Sequence, residues 1–102
     1  MQQEAVVMEI IVNAGEARSL CFEALAMAKE QELQQARERL KQAKDCLNRA
    51  QLTQTQLIEV DQGPEQVEMT LVMVHAQDHL MTTILAHELT SEMVSMYENM
   101  SK

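Results

Sequence analysis

The chain has 102 residues, of which 46% are hydrophobic and only Phe22 and Tyr97 are aromatic. Sixteen acidic residues outnumber eight basic ones, which gives a formal net charge of −8 at pH 7. This charge argues against nucleic acid or anionic lipid as a partner, because both would be repelled, and it suits a basic protein surface. The length predicts a single domain over residues 1–102 with a modest core.

The composition predicts an all-α protein, since two glycines and one proline leave few turns among many Gln, Glu, Ala and Leu residues. Cys21 and Cys46 have no CxxC spacing and fall on apolar helical faces, so we interpret them as small buried hydrophobic residues. No basic-then-apolar leader opens the sequence, and its apolar runs are too short to span a bilayer. We therefore expect a cytoplasmic protein.

The first helix is predicted from about Glu4 to Lys29. Its apolar residues recur at spacings of three and four and mark one face: Val7, Ile10, Ile11, Ala14, Ala17, Cys21, Ala24, Leu25 and Ala28. Gly15 lies inside this helix, where glycine weakens helix formation by about 1 kcal/mol relative to alanine. A glycine at such a position indicates the close approach of another backbone or of a ligand, and packing is the simpler interpretation.

The second helix follows a short break at residues 30–32. Its repeat alternates leucine with alanine: Leu33, Ala36, Leu40, Ala43, Leu47, Ala50, Gln54 and Leu57. This pattern is typical of a helix packed at a shallow angle in a bundle. Gln54 interrupts the repeat, and we expect it to contact the functional end of the bundle. The opposite face is predicted to be solvated and charged, with Arg37, Glu38, Lys41, Lys44 and Asp45.

A Gly63-Pro64 turn precedes the third helix, which is predicted from about Val67 to Asn99. This helix carries two apolar rows. The first row is Leu71, Val74, Asp78, Met81 and Leu85, and the second row is Val72, His75, His79, Thr82, Ala86, Leu89, Met93, Met96 and Met100. Such wide apolar coverage exceeds the needs of a three-helix monomer, so we infer that the helix packs within its subunit and against other subunits.

Residues 74–81, with the sequence VHAQDHLM, are the strongest candidate for chemistry. His75, Asp78 and His79 share one side of a helix because they are spaced by three and four residues. Imidazole titrates near neutrality, so it can act as a nucleophile, a base or a metal ligand in the cell. We interpret His75 as a nucleophile supported by His79 and Gln77; a hydrogen-bonded interface histidine is the alternative.

His87 lies three turns beyond this cluster, and we interpret it as a surface residue. The terminal methionines of the second row, from Met93 onward, are interpreted as bundle core and helix end.

Asp78 stands where the first row would carry a leucine. A hydrogen bond to a neighbouring helix is one explanation. If third helices meet around a three-fold axis, three such carboxylates converge and cannot all stay ionised without a proton or a cation between them. Carboxylate oxygens favour a hard divalent ion such as Mg²⁺. A peptidase-like zinc site built on His75 and His79 is a weaker alternative, because no third ligand is suitably placed.

Three stretches of the chain resemble the lactose/cellobiose-type enzyme IIA of the bacterial sugar phosphotransferase system. They are Asn13–Ser19 (NAGEARS), Ala50–Leu57 (AQLTQTQL) and Val74–Thr83 (VHAQDHLMTT). The resemblance extends over nearly the full length. It implies a subunit that is an antiparallel three-helix bundle and that assembles as a homotrimer.

The resemblance also implies roles for individual residues. His75 would accept a phosphoryl group from the histidine phosphocarrier HPr and pass it to a cysteine of enzyme IIB, which serves the membrane permease, enzyme IIC. Asp78 would be the axial aspartate that binds one Mg²⁺ ion at the trimer centre, and His79 and Gln77 would support the phosphate.

Residues 6–15 and 73–75 look closer to the cellobiose/chitobiose branch of that family than to its lactose branch. We therefore expect service to a β-linked disaccharide such as cellobiose. The alternative function is a non-catalytic helical adaptor, which would dock a partner through its acidic faces and methionine-rich end.

Overall fold

The computed structural model describes residues 3–101 as three helices: α1 (Gln3–Lys29), α2 (Leu33–Gln62) and α3 (Leu71–Met100). They lie side by side in a molecule that measures 56 × 18 × 17 Å. This arrangement confirms the predicted all-α, three-helix architecture. Among the helices described, none contains a stretch apolar enough and long enough to cross a membrane.

The core forms where the periodicity of the first two helices predicted it. Its buried apolar residues on α1 and α2 are Val7, Ile10, Ala14, Ala17, Leu20, Cys21, Ala24, Ala28, Ala36, Leu40, Ala43, Cys46, Leu47, Ala50 and Leu57. Nine of these fifteen residues are alanine or cysteine, so the helix axes can approach closely. Cys21 and Cys46 are buried free thiols, as predicted, and burial raises the pKa of the Cys21 thiol.

The face that α3 buries within the subunit is neither of the two predicted rows. It consists of Met73, Ala76, Leu80, Thr83, Thr90 and Val94. Because α3 carries apolar residues on three sides, periodicity alone could not tell which side the other helices would cover. Most of the two predicted rows therefore points outward, and we call the exposed part the outer face of α3. It contains Leu71, Val72, Val74, Met81, Leu85, Leu89, Met93 and Met96.

The methionines at the end of α3 are thus not core residues. Met93, Met96 and Met100 are 41%, 62% and 74% exposed, so the prediction that they fill the bundle was wrong. The bundle interior at that end is occupied instead by Val94, which is fully buried.

Helix α3 also begins later than predicted, at Leu71 rather than near Val67. The Oγ1 of Thr70 accepts a hydrogen bond from the backbone N–H three residues ahead, which caps the helix. The preceding segment is not helical, and the Gln3 amide pairs with both backbone groups of Glu68 there, at 2.5 and 2.9 Å. The start of α1 therefore lies beside the start of α3, and these two helices run parallel.

Arg37 was predicted on a solvated charged face, but it joins α2 to the end of α3. Its Nε and Nη2 donate to the Glu98 carboxylate at 3.0 and 2.7 Å, and Nη2 also donates to Ser95 Oγ at 2.8 Å. The hydrogen bond with Glu98 raises the pKa of Arg37. Helix periodicity could not reveal this contact, since its partners lie 61 residues apart. It requires α2 and α3 to run antiparallel.

Gln31 connects α1 to α2 with a left-handed backbone, φ 63°. The Glu32 N–H donates to the Met27 carbonyl at 2.9 Å, which closes a helix end that usually carries glycine. Because a side chain in this conformation costs about 1 kcal/mol or more, we expect Gln31→Gly to raise the free energy of unfolding by about 1 kcal/mol. Urea denaturation at one protein concentration measures this change.

Gln35→Gly is the matched control, because Gln35 is exposed inside α2. Glycine there should lower the free energy of unfolding by about 1 kcal/mol. A similar loss in both variants would contradict the strain assigned to Gln31.

Candidate functional site

Two histidines lie one turn apart on α3, in the groove between α3 and α1. His75 is exposed and His79 is half-buried. Their rings are nearly parallel, with an interplanar angle of 10° and centroids 6.0 Å apart. Within residues 3–101 neither ring takes part in a hydrogen bond, so the nitrogens of His75 are open to a molecule that approaches the groove.

Gly15 provides the space on α1 that the His79 ring occupies. A Cβ atom built on Gly15 would lie 3.7 Å from Nε2 of His79. A methyl group would therefore touch this nitrogen, and a larger side chain would compete with the ring for space. The close neighbour predicted for the mid-helix Gly15 is therefore the side chain of His79.

The surroundings of His79 favour the neutral form of its ring. Burial is the largest cause of its lowered pKa, followed by the charges of His75 and Arg18, while the charge of Asp78 acts in the opposite direction. A neutral imidazole offers one nitrogen as a donor and the other as an acceptor. His79 is therefore suited to orienting a polar group in the groove.

Arg18 also belongs to this environment, although sequence reasoning did not single it out. Its guanidinium carbon lies 5.3 Å from the centre of the Phe22 ring, so the cation stacks on the only phenylalanine of the chain. The available signal was its place in the Asn13–Ser19 stretch, one turn after Gly15.

Gln77 points to the other side of α3. Its Oε1 accepts a hydrogen bond from Nε2 of Gln54 on α2, so Gln54, which was expected to contact the functional end of the bundle, reaches residue 77 of the 74–81 stretch. Positions 75 and 77 are about 200° apart around an α-helix. The structure therefore does not bring Gln77 to His75 or His79 within one chain.

Asp78 is exposed near the middle of the outer face of α3, among Val74, Met81 and Leu85. Its carboxylate forms no hydrogen bond or ion pair with any residue from 3 to 101. Over that same range, no three His, Cys, Asp or Glu side chains are grouped closely enough to hold a metal ion. A single chain thus offers one carboxylate, whose oxygens are of the kind that hard divalent ions prefer.

His87 was predicted to be a surface residue, but it is half-buried between α3 and α2. Its Nε2 lies 3.0 Å from the Leu40 carbonyl oxygen, which can only accept, so this nitrogen carries the proton. The sequence pattern could not show this bond, because Leu40 is remote along the chain. His87 therefore has a structural role, away from the histidine pair.

The fold and the site together define a small helical protein that presents an exposed histidine from a rigid helix at its surface. The sequence profile of the PTS system, lactose/cellobiose specific IIA subunit matches residues 5–98, and the chain belongs to this family.

The N,N'-diacetylchitobiose-specific EIIA component of Escherichia coli (strain K12) is 46% identical over 97 residues, which cover 95% of this chain and 84% of that protein. The crystal structure of the PTS cellobiose-specific enzyme IIA from Bacillus anthracis matches with a TM-score of 0.94 and 36% identity, over 99% of this chain and 93% of that one.

A solution structure of the IIA(chitobiose)–HPr complex of the Escherichia coli phosphotransferase system matches with a TM-score of 0.87 and 43% identity. That match covers 100% of this chain and 99% of the other. The family resemblance expected from the three sequence stretches is confirmed.

Proposed function

We propose that this chain is a phosphoryl carrier of a sugar phosphotransferase system, which accepts a phosphoryl group from phospho-HPr on His75 and passes it to a cysteine of enzyme IIB. The observation that carries the assignment to His75 is its exposed ring, free of internal hydrogen bonds, within the matched motif. HPr is the partner named for the related chitobiose complex, which supports it as the donor here.

The transfer needs an unprotonated nitrogen of neutral His75. Its lone pair attacks the phosphorus of the HPr phosphohistidine, a new N–P bond forms, and the old N–P bond breaks as the HPr imidazole regains its electron pair. In the second step the thiolate of enzyme IIB attacks the same phosphorus, and His75 recovers its lone pair. Positioning and charge stabilisation dominate such reactions, so a histidine on a rigid helix is well suited to them.

His79 is proposed to orient the phosphoryl group or the docking partner, because its neutral ring is parallel to His75 and one turn away. Gln77 faces α2 in its own chain. A supporting role for Gln77 at the phosphate therefore requires that it act on the histidine of a neighbouring copy.

We further propose that three copies assemble with the outer faces of their α3 helices around a common axis. The support for this is the group of exposed apolar side chains that surrounds Asp78 on the outer face of α3, which water alone would cover in a monomer. Three Asp78 carboxylates would then converge, and they would hold one divalent ion, Mg²⁺ being the best match to oxygen ligands. The ion would neutralise the repulsion between the carboxylates and would take no part in the transfer.

The sugar is proposed to be a β-linked disaccharide, since the relatives described above are named for chitobiose and cellobiose. The chain itself has no contact with sugar in this scheme. The membrane permease enzyme IIC would recognise it, and enzyme IIB would carry the phosphoryl group there.

Reconstitution with enzyme I, HPr and phosphoenolpyruvate tests the proposed function. We expect a phosphorylated species with a phosphoramidate bond, labile in acid and stable in base, only when all three components are present. The helical adaptor is the second candidate, favoured by the exposed methionines at the end of α3. Complete absence of the phosphorylated species would favour the adaptor.

Gly15→Ala should raise the stability of the fold but slow phosphoryl transfer. Alanine favours helix over glycine, so the free energy of unfolding should rise by about 0.5 to 1 kcal/mol. The added methyl group lies 3.7 Å from Nε2 of His79 and restricts its access to ligands, so transfer from phospho-HPr should slow several-fold. Denaturation and single-turnover phosphorylation measure the two effects.

Ser19→Ala is the control for this substitution, because Ser19 is exposed on the same helix. Transfer in the Ser19→Ala protein should match that of the original. If Gly15→Ala also transfers at the original rate, the space beside His79 has no functional role.

A further inference from the structure

Positive charge is scarce around the groove between α1 and α3 where His75 and His79 lie. Arg18 is the only lysine or arginine among residues 1–28, and α3 contains none. The other basic residues lie at the end of α1, on α2 or at the end of the chain: Lys29, Arg37, Arg39, Lys41, Lys44, Arg49 and Lys102. Arg18 is therefore the single permanent cation that residues 1–28 and α3 themselves contribute, in a chain with a net charge of −8. From α2, Arg49 reaches α1 at Asn13, to whose Oδ1 its Nε donates at 3.3 Å.

The position of Arg18 places this cation near His79, the second histidine of the pair. It follows Gly15 by three residues on α1, so both lie on the same side of that helix, and Gly15 faces His79. The charge of Arg18 also contributes to the lowered pKa of the His79 ring.

The guanidinium of Arg18 is held in place yet has no partner for its donors. It stacks on Phe22 with 5.3 Å between its central carbon and the ring centre, and Phe22 is 58% exposed. Within residues 3–101 Arg18 forms no ion pair and no hydrogen bond. Stacking restricts the rotamers of a long side chain, so less entropy is lost when its N–H groups bind a ligand.

Phosphorylation of His75 adds negative charge that a guanidinium such as that of Arg18 can bind. A phosphoryl group brings close to two negative charges to an already acidic surface. A guanidinium can bind two phosphoryl oxygens at once and keeps its charge at every relevant pH. Arg18 is the only arginine or lysine on α1 before Lys29, and α3 has neither residue. No other side chain of these two segments can therefore supply hydrogen bonds from a permanent positive charge.

We infer that Arg18, held by Phe22, is the phosphoryl-binding residue of the groove and donates hydrogen bonds to the phosphoryl oxygens during transfer to and from His75. This inference rests on the proposed function. Arg18 makes and breaks no covalent bond and exchanges no proton; the N–P bonds form and break as described for His75. Its contribution is to stabilise negative charge on the phosphoryl group as it passes between two imidazoles.

Single-turnover phosphorylation over a range of phospho-HPr concentrations tests the inference on the full-length chain. Arg18→Gln should lower the maximum rate by about 10- to 100-fold, with a smaller change in the half-saturating concentration. Arg18→Lys should recover part of the loss, because a lysine retains the charge without the bidentate geometry. Phe22→Leu, which removes the stacking platform, should give an intermediate rate.

Lys41→Gln is the control, since it removes one positive charge from an exposed position on α2 and should leave the rate unchanged. Circular dichroism should confirm that every variant keeps its helicity. Labelling of the original protein together with an unaltered rate for Arg18→Gln would overturn the inference alone. A loss confined to the half-saturating concentration would also overturn it, because Arg18 would then serve docking only. Failure of the original protein to label would instead refute the proposed function.

Discussion

His75→Gln should abolish phosphorylation from phospho-HPr while leaving helicity and assembly unchanged. Glutamine has no nucleophilic imidazole, and His75 is exposed without internal hydrogen bonds, so the fold loses nothing that it depends on. The measurement is incorporation of an acid-labile, base-stable phosphoryl group, followed by intact-protein mass spectrometry. Of the substitutions considered, this one has the largest expected effect on activity.

The other two histidines are internal controls for that result. His79→Gln should slow transfer without abolishing it, since its ring only assists beside His75. His87→Gln should label normally, because His87 lies on the far part of α3 and its ring is bound to the Leu40 carbonyl of α2. Undiminished labelling of the His75→Gln protein would mean that another histidine is the phosphoryl acceptor.

Asp78→Leu should tighten the proposed trimer and remove its divalent ion. Leucine completes the apolar surface formed by Val74, Met81 and Leu85, and replacing buried charges with apolar groups of similar size often stabilises an interface, by about 1 to 4 kcal/mol. Sedimentation equilibrium over a range of concentrations gives the association constant. Metal analysis of the purified protein gives the ion content before and after substitution.

Asp45→Leu is the matched control, because it makes the same chemical change at an exposed position on α2. It should alter neither assembly nor metal content. A monomer at micromolar concentration for the original chain would contradict the proposed three-fold assembly. A trimer without a bound divalent ion would contradict only the metal, and shared protons would then have to neutralise the carboxylates.

The first two helices could be predicted from sequence because each carries one apolar face. On α2 the alternation of leucine and alanine from Ala36 to Leu57 identified six of the eight buried residues, and Cys46 and Thr53 lie outside it. Helix α3 is apolar on three sides, so its pattern predicted a long helix with more apolar surface than one subunit buries, but not which side the other two helices cover. Met73, Ala76 and Leu80 became core because of where α1 and α2 lie, and no local pattern contains that information.

The candidate site divides in the same way. The spacing of His75 and His79 was sufficient to predict that the two rings lie one turn apart on the same helix. The contact of Gly15 with His79 and the direction of Gln77 depend on how three helices pack, so only the structure reveals them. The start of α3 was predicted several residues early because the hydrogen bonds between Gln3 and Glu68 connect distant parts of the chain.

The central claim is that this chain carries a phosphoryl group between two proteins on His75. The most direct measurement isolates the protein after incubation with phospho-HPr, maps the modified residue by mass spectrometry, and then adds the cognate enzyme IIB. We predict that the phosphoryl group is found on His75 and is then lost from this chain as a phosphorylated cysteine appears on enzyme IIB. A phosphoryl group on another residue, or one that stays on His75 after enzyme IIB is added, would contradict the claim.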